Sequence, residues 1–295
     1  MTQEELIIGI NKKYHVMGEN PDTYLKGLYH AKPINYWDYI EVETLLSLQR
    51  PRTNFKDEEI FIIYHQVTEL TLKLMLHEIR QIVDSEVMAE DNLVMRIDRL
   101  NRYTSILINS FGIMKDGMSY DDYNTFRSTL APASGFQSVQ FRYIEIFCTR
   151  LGNLVNIEGK KRLAQNPSTA DYFDNIYWKD AGLNRQTGHK TLTLLQFEEK
   201  YLDNLIALAD KVKGKTIEER YLQIPEPSLT LTGKLKEFDH LYNVAWPLVH
   251  LETASHYLNK KGENQAATGG SEWKKYLHPE SQQRKFFPLL WTEKD

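Results

Sequence analysis

The sequence holds one cysteine, Cys148, so neither an intrachain disulfide nor a cysteine-based metal cluster can form. No stretch approaches the roughly 18 uncharged apolar residues of a membrane-spanning helix. The opening MTQEELIIGINKK lacks the basic start and long apolar run of a signal peptide. Together these absences predict a cytoplasmic protein with no membrane partner. Charge of one sign is also scarce: 36 Lys and Arg stand among 40 Asp and Glu, for a net charge of -4, and no single-sign run marks a nucleic-acid partner. There is no convincing strand alternation, low-complexity tract or repeat at a period of about 20–50 residues. HExxH, CxxCH and a two-His-one-carboxylate spacing are missing too.

What the chain does have is apolar residues at helical spacing. A 41% hydrophobic fraction over 295 residues is enough for a substantial core, and one domain over 1–295 is expected. The clearest helix is 57–83, where Ile60, Ile63, Val67, Leu70 and Leu74 recur at three- and four-residue steps. Asn54 is the expected N-cap, and Asp57, Glu58 and Glu59 complement the helix dipole. Phe61 and His65, four apart, share a different face. Further helices are expected over 91–109 (Ile97, Leu100, Tyr103, Leu107), 138–154, 191–212 and 231–259. Pro247 should kink the last or mark an irregularity. Segments 213–232 and 259–272 read as loops. Cys148, after Ile146 and Phe147, reads as a small buried hydrophobe. The fold class is all-α, a helical bundle.

Nine histidines then need sorting. His15, His30, His189 and His278 lie in polar or turn-like contexts and read as surface residues. His77, His240 and His256 fall in helices, where a structural hydrogen bond is the ordinary role. His65 differs: it ends the run Phe61-Ile62-Ile63-Tyr64, where an ionisable ring is costly without a partner. His250 follows Trp246-Pro247-Leu248-Val249, and neutral imidazole is a common ligand of metals and of haem iron. Arg127 precedes the turn Ser134-Gly135-Phe136-Gln137-Ser138, and guanidinium can grip a carboxylate through two hydrogen bonds, although a surface salt bridge is the commoner use. Thr268-Gly269-Gly270-Ser271 is a loop with hydroxyls and free backbone donors. Residue chemistry alone reaches a candidate buried site and no further.

Taken in order, these segments resemble the tryptophan 2,3-dioxygenase family. Tyr36-Trp37-Asp38-Tyr39-Ile40 with Leu45-Leu46-Ser47-Leu48-Gln49 is similar to its Y-x-x-Y-L…LL-x-x-Q segment. Asp57-Glu58, Phe61 to Gln66 and Glu69-Leu70 match DE-x-x-FII-x-HQ-x-x-EL. Phe126-Arg127, Ser134 to Ser138 and Gln140-Phe141-Arg142 match FR…SGFQS-x-Q-(Y/F)-R. Trp246 and His250, then Thr268 to Ser271, complete the pattern. Only about 155–230 contributes little.

The resemblance implies a b-type haem with ferrous iron, dioxygen as co-substrate and L-tryptophan or a related aromatic amino acid as substrate. His250 would be the proximal iron ligand, with Ser134 and Gly135 beside the cofactor. His65 would accept a hydrogen bond from the indole N–H, Phe61 would pack on the indole, Arg127 would clamp the carboxylate, Tyr123 would line the pocket, and Thr268 would bond the ammonium or carboxylate. Tyr36 and Tyr39, within residues 1–50, would reach a neighbouring subunit's site in a homotetramer. The expected product is N-formylkynurenine.

Three departures mark this chain. Thr71 stands where the family has Trp, Glu272-Trp273 follow Ser271 where Ser and Gly are usual, and the stretch between His250 and Thr268 is about four residues longer than usual. They keep a haem monooxygenase of a modified tryptophan or other aromatic amino acid as the alternative reading. A haem sensor without catalysis is a third, but it has no use for Arg127 and His65 together.

Overall fold

The computed structural model describes residues 1–183, 187–259, 278–279 and 284–291. It is helical, and the described residues hold only isolated bridges (Val155 with Ile176, Leu183 with Lys190) in place of strands. The chain forms two compact units, Met1–Arg50 and Pro51–Asp295.

The first unit carries α1 (Gln3–Val16), α2 (Pro21–His30), α3 (Tyr36–Ile40) and α4 (Val42–Leu46). Thr2 and Glu5 form a reciprocal cap on α1, and Asn20 caps α2 ahead of Pro21. Tyr14 stacks on Tyr24 with ring centroids 4.2 Å apart, joining the two helices. None of the four helices has a buried side chain.

The second unit is built around α5 (Asp57–Val83) and α6 (Glu90–Asp116), which pack along one another. Asn54 is not the cap of α5: the capping position is Lys56, which makes no side-chain bond. Glu58 organises the entry instead, accepting the backbone N–H groups of Arg52 and Thr53 at 2.8 Å and the Thr53 hydroxyl at 2.5 Å. The core face of α5 is Tyr64, Leu72, Met75, Leu76, Ile79, Ile82 and Val83. Most of the regular stripe points the other way, with Ile63, Val67, Leu70 and Leu74 40–50% exposed. Thr71, at the family's Trp position, is buried and donates its hydroxyl to the Val67 carbonyl at 2.8 Å. On α6 the expected residues Ile97, Leu100 and Leu107 are fully buried.

After α7 (Tyr120–Phe126), short 3-10 turns at Arg127–Leu130 and Gly135–Gln137 lead into α8 (Val139–Cys148). The expected helix over 138–154 stops at Cys148, which is fully buried as expected. Glu218 ends it by accepting the Thr149 hydroxyl (2.9 Å) and the Arg150 N–H (3.0 Å), groups that a continuing helix would direct elsewhere. Three short helices follow, α9 (Ile157–Arg162), α10 (Thr169–Asp174) and α11 (Tyr177–Ala181), and then α12 (Leu192–Val212), capped by Thr191. The expected loop 213–232 contains α13 (Ile217–Leu222), started by a Thr216–Glu219 capping box.

The expected helix 231–259 is α14 (Leu229–His240), a π-helical turn over Leu241–Ala245 and α15 (Trp246–Asn259). Pro247 explains the irregularity. It has no N–H to offer the carbonyl four residues back, and its ring would press on that carbonyl. The turn widens before it, and the Trp246 N–H bonds five residues back to the Leu241 carbonyl. α14 and α15 both pack on α6.

Candidate functional site

Four elements of the second unit converge on a run of rings. α5 supplies Phe61, Tyr64 and His65, and α6 supplies Phe111. Phe126 and Tyr123 come from α7, and His250 and Tyr257 from α15. Centroids are 5.4 Å apart for His250–Phe111, 5.7 Å for Phe111–Tyr64, 5.2 Å for Tyr64–His65 and 4.1 Å for His65–Phe61. Phe61 continues to Phe126 at 5.7 Å and Tyr123 at 6.0 Å, and Tyr123 meets Tyr257 at 4.3 Å. On α5, positions 61 and 65 are four residues apart and so lie one turn apart on one face.

His250 keeps accessible surface, yet desolvation lowers its pKa to about 4, with a further push from His65. His65, half-buried, is likewise lowered by desolvation, against weaker upward pulls from its bond to Phe61 and from Glu69. Both rings are therefore neutral at pH 7. His65 Nδ1 lies 2.7 Å from the Phe61 carbonyl oxygen. A carbonyl only accepts, so Nδ1 carries the proton and Nε2 is left with a free lone pair.

Arg127 is buried at the C-terminal end of α7. Its charge acts on Tyr123, partly opposing the burial that raises that phenol's pKa. Tyr257 is fixed by donating to the Met114 carbonyl at 2.5 Å, and burial raises its pKa to about 12. Ser134 is half-buried and caps the 3-10 turn: its hydroxyl accepts the Phe136 N–H and the Gln137 side chain accepts the Ser134 N–H, each at 3.3 Å. Gly135 is exposed with open space at its Cβ direction. Among the described residues no hydrogen bond or ring contact ties Ser134 or Gly135 to the ring run. Tyr36 and Tyr39 are on α3 of the first unit and are 71% and 73% exposed. Thr268 and the rest of 260–277 lie outside the described residues.

The sequence reading missed Tyr64, Phe111, Phe126 and Tyr257 as part of this run. Phe111 and Tyr257 sit on helix faces indistinguishable from core by spacing alone. It also missed the bond from Gln140, on α8, to Glu69 one turn below His65. Gln140 Nε2 donates to the Glu69 carbonyl at 2.8 Å and to its carboxylate at 2.7 Å. Both residues stand in the quoted motifs, but no pattern of one segment shows that they pair with another.

The family model for tryptophan 2,3-dioxygenase matches residues 27–212. The chain belongs to the tryptophan 2,3-dioxygenase family. A tryptophan 2,3-dioxygenase of Ruegeria sp. (strain TM1040) is 28% identical over 280 residues, covering 89% of this chain and 92% of that protein. One from Geobacillus thermodenitrificans is 30% identical over 288 residues, 88% and 91% of the two chains. One from Bacillus thuringiensis subsp. konkukian is 28% identical over 301 residues, 94% and 98%. The matched family region contains Tyr36, Tyr39, Phe61, His65, Tyr123, Arg127, Ser134 and Gly135, and the alignment over 94% of the chain is too long to stop short of His250. A tryptophan 2,3-dioxygenase family chain thus brings its two apolar-context histidines and its motif arginine to one region of one unit.

Proposed function

We propose that this chain is a haem-dependent tryptophan 2,3-dioxygenase, adding both atoms of dioxygen across the indole C2–C3 bond of L-tryptophan to give N-formylkynurenine. The observation that carries the reading is the pair of desolvated imidazoles, His65 and His250, joined by one run of aromatic rings, with buried Arg127 acting on Tyr123 of the same run.

The residues present fit a b-type haem. His250 is held neutral, so a ring nitrogen lone pair is available to iron, and flat apolar walls such as Phe111 suit a macrocycle. His250 would hold the iron, with Ser134 and Gly135 at the cofactor's edge. When bound, the haem supplies ferrous iron to activate dioxygen, which as a ground-state triplet reacts slowly with a closed-shell indole.

The chain's own residues then bind and orient. His65 Nε2 accepts the indole N–H, because the Phe61 carbonyl fixes the proton on Nδ1. Desolvation keeps His65 uncharged, so it positions the indole as an acceptor and does not act as an acid. Phe61, 4.1 Å from His65 between centroids, packs on the indole face. Arg127 takes the carboxylate through two parallel hydrogen bonds, a charge-assisted contact worth roughly 1.5–3 kcal/mol. Tyr123 closes that side, and Thr268 bonds the ammonium or carboxylate.

The proposal includes a homotetramer in the cytoplasm, with Tyr36 and Tyr39 entering a neighbouring subunit's site. Two features support it. The first unit buries no helical side chain, and α5 exposes the apolar row Ile63, Val67, Leu70 and Leu74. The test is turnover of L-tryptophan by reduced, haem-loaded protein, followed by the absorbance of N-formylkynurenine. Product is expected from the wild type and none from His250→Ala. Turnover by a haem-free sample, or undiminished turnover by His250→Ala, would overturn the reading.

A further inference from the structure

The residues Arg284–Trp291 lie against the π-helical turn that precedes His250, and the contact is polar at its centre. Asp239, fully buried at the end of α14, accepts four donors on its two oxygens. Asn243 Nδ2 (2.6 Å) and the Phe286 N–H (2.9 Å) reach Oδ1, and the Phe287 N–H (2.9 Å) and Trp291 Nε1 (2.8 Å) reach Oδ2. Arg284 Nε donates to the Asn243 carbonyl oxygen of the side chain, and Arg284 Nη1 donates to Glu145 at 2.5 Å. Glu145 on α8 also accepts from Tyr177 at 2.5 Å and pairs with Arg142 at 3.2 Å. The Arg284 guanidinium lies over the Tyr242 ring at 5.6 Å.

Asp239 and Asn243 thus bracket the entry to the π turn, and Arg284 ties Asn243 to α8. This placement matters because a π turn holds one residue more than an α turn. Losing it would rotate every following side chain by about 100° around the helix axis. His250 begins one turn after the irregularity ends, so its direction depends on whether the turn is kept. Pro247 removes one hydrogen bond from the alternative, but a proline kink alone does not choose among distortions.

We propose that Asn243 and Arg284 are positioning residues for His250: locked between Asp239 and Glu145, they hold the π turn that sets the direction of the imidazole. The proposal rests on the reading of His250 as the iron ligand. Partners that orient a ligating histidine typically change metal affinity or activity by about 10–100-fold when removed, and Asn243 and Arg284 would act on His250 through the backbone of the turn.

The test uses full-length protein loaded with haem and reduced without oxygen, and reads the iron–histidine stretching band by resonance Raman alongside haem retention. Arg284→Met is the direct variant. Trp291→Phe, at a partly exposed position, removes one donor from Asp239 and keeps an aromatic ring, so it guards against simple unfolding. Both are compared at matched helicity by circular dichroism. The expected result is a displaced or broadened band in each folded variant, larger for Arg284→Met, with about 10–100-fold weaker haem retention in the latter. A structural role alone would lower melting temperature but leave the band of the folded fraction in place. Wild-type band and haem retention in both variants would overturn the proposal while leaving the function reading intact. A band that persists in His250→Gly without added imidazole would overturn both.

Discussion

In the proposed site, buried Arg127 and half-buried His65 have different kinetic effects. There Arg127 clamps the substrate carboxylate, and truncating it would remove a contact that ground and transition states share. Arg127→Ala is expected to raise KM by about 10–150-fold, the equivalent of roughly 1.5–3 kcal/mol, with a smaller change in kcat, as steady-state kinetics will show. An unchanged KM would remove Arg127 from the clamp. In the proposed site His65 orients the indole, so His65→Leu should lower kcat and KM should change less. The histidines also give the haem-free protein an acid sensitivity. Their folded pKa values are lowered, to about 4 for His250, whereas unfolded imidazole titrates near 6.5. Below about 6.5 the unfolded chain therefore binds more protons, and stability falls as pH drops from about 6.5 towards 4. Urea midpoints measured across that window should decline for the haem-free wild type and less steeply for His65→Leu.

At the scale of elements, the distinction between what was legible and what was not is physical. Helices α5, α6 and α12 follow from apolar residues at three- and four-residue steps, and the π turn was foreshadowed by Pro247. The early stop of α8 was not, because it comes from Glu218, which lies about seventy residues away in sequence and has no local signature. Nor was α13, because its Thr216–Glu219 capping box is followed closely by two prolines whose local signal is that of a loop. The most regular stripe of α5 misled in direction: it is the exposed side, and the true core side mixes Tyr64 and Thr71 with its aliphatics. Phe61 and His65 were correctly separated from that stripe, and the family motifs named them, Arg127 and His250 before any geometry. Glu218 gives the element-scale prediction. Burial raises its pKa, but its bonds from Arg150 and Thr149 outweigh this and hold the carboxyl below its usual value. Glu218→Gln turns one acceptor oxygen into a donor facing donors, which should cost about 1–3 kcal/mol in thermal or urea unfolding. A loss within a few tenths would show that the helix stop does not depend on this carboxylate.

For the whole molecule, the exposed apolar row of α5 and a first unit without buried helical side chains both point to surface that needs a partner. A charge at Leu70, 47% exposed, leaves the packing of a single chain alone but is costly in an apolar interface. Leu70→Glu should lower the mass found by light scattering after size exclusion, with helicity retained. An unchanged mass would show that this row is not the interface of the proposed oligomer.

Isotopic dioxygen tests the proposed chemistry most directly. Reduced, haem-loaded protein is given L-tryptophan under 18O-labelled dioxygen, and the product is weighed by mass spectrometry. N-formylkynurenine carrying two labelled oxygen atoms is the result predicted here. A product with a single labelled atom would contradict it and identify a monooxygenase built on the same two histidines.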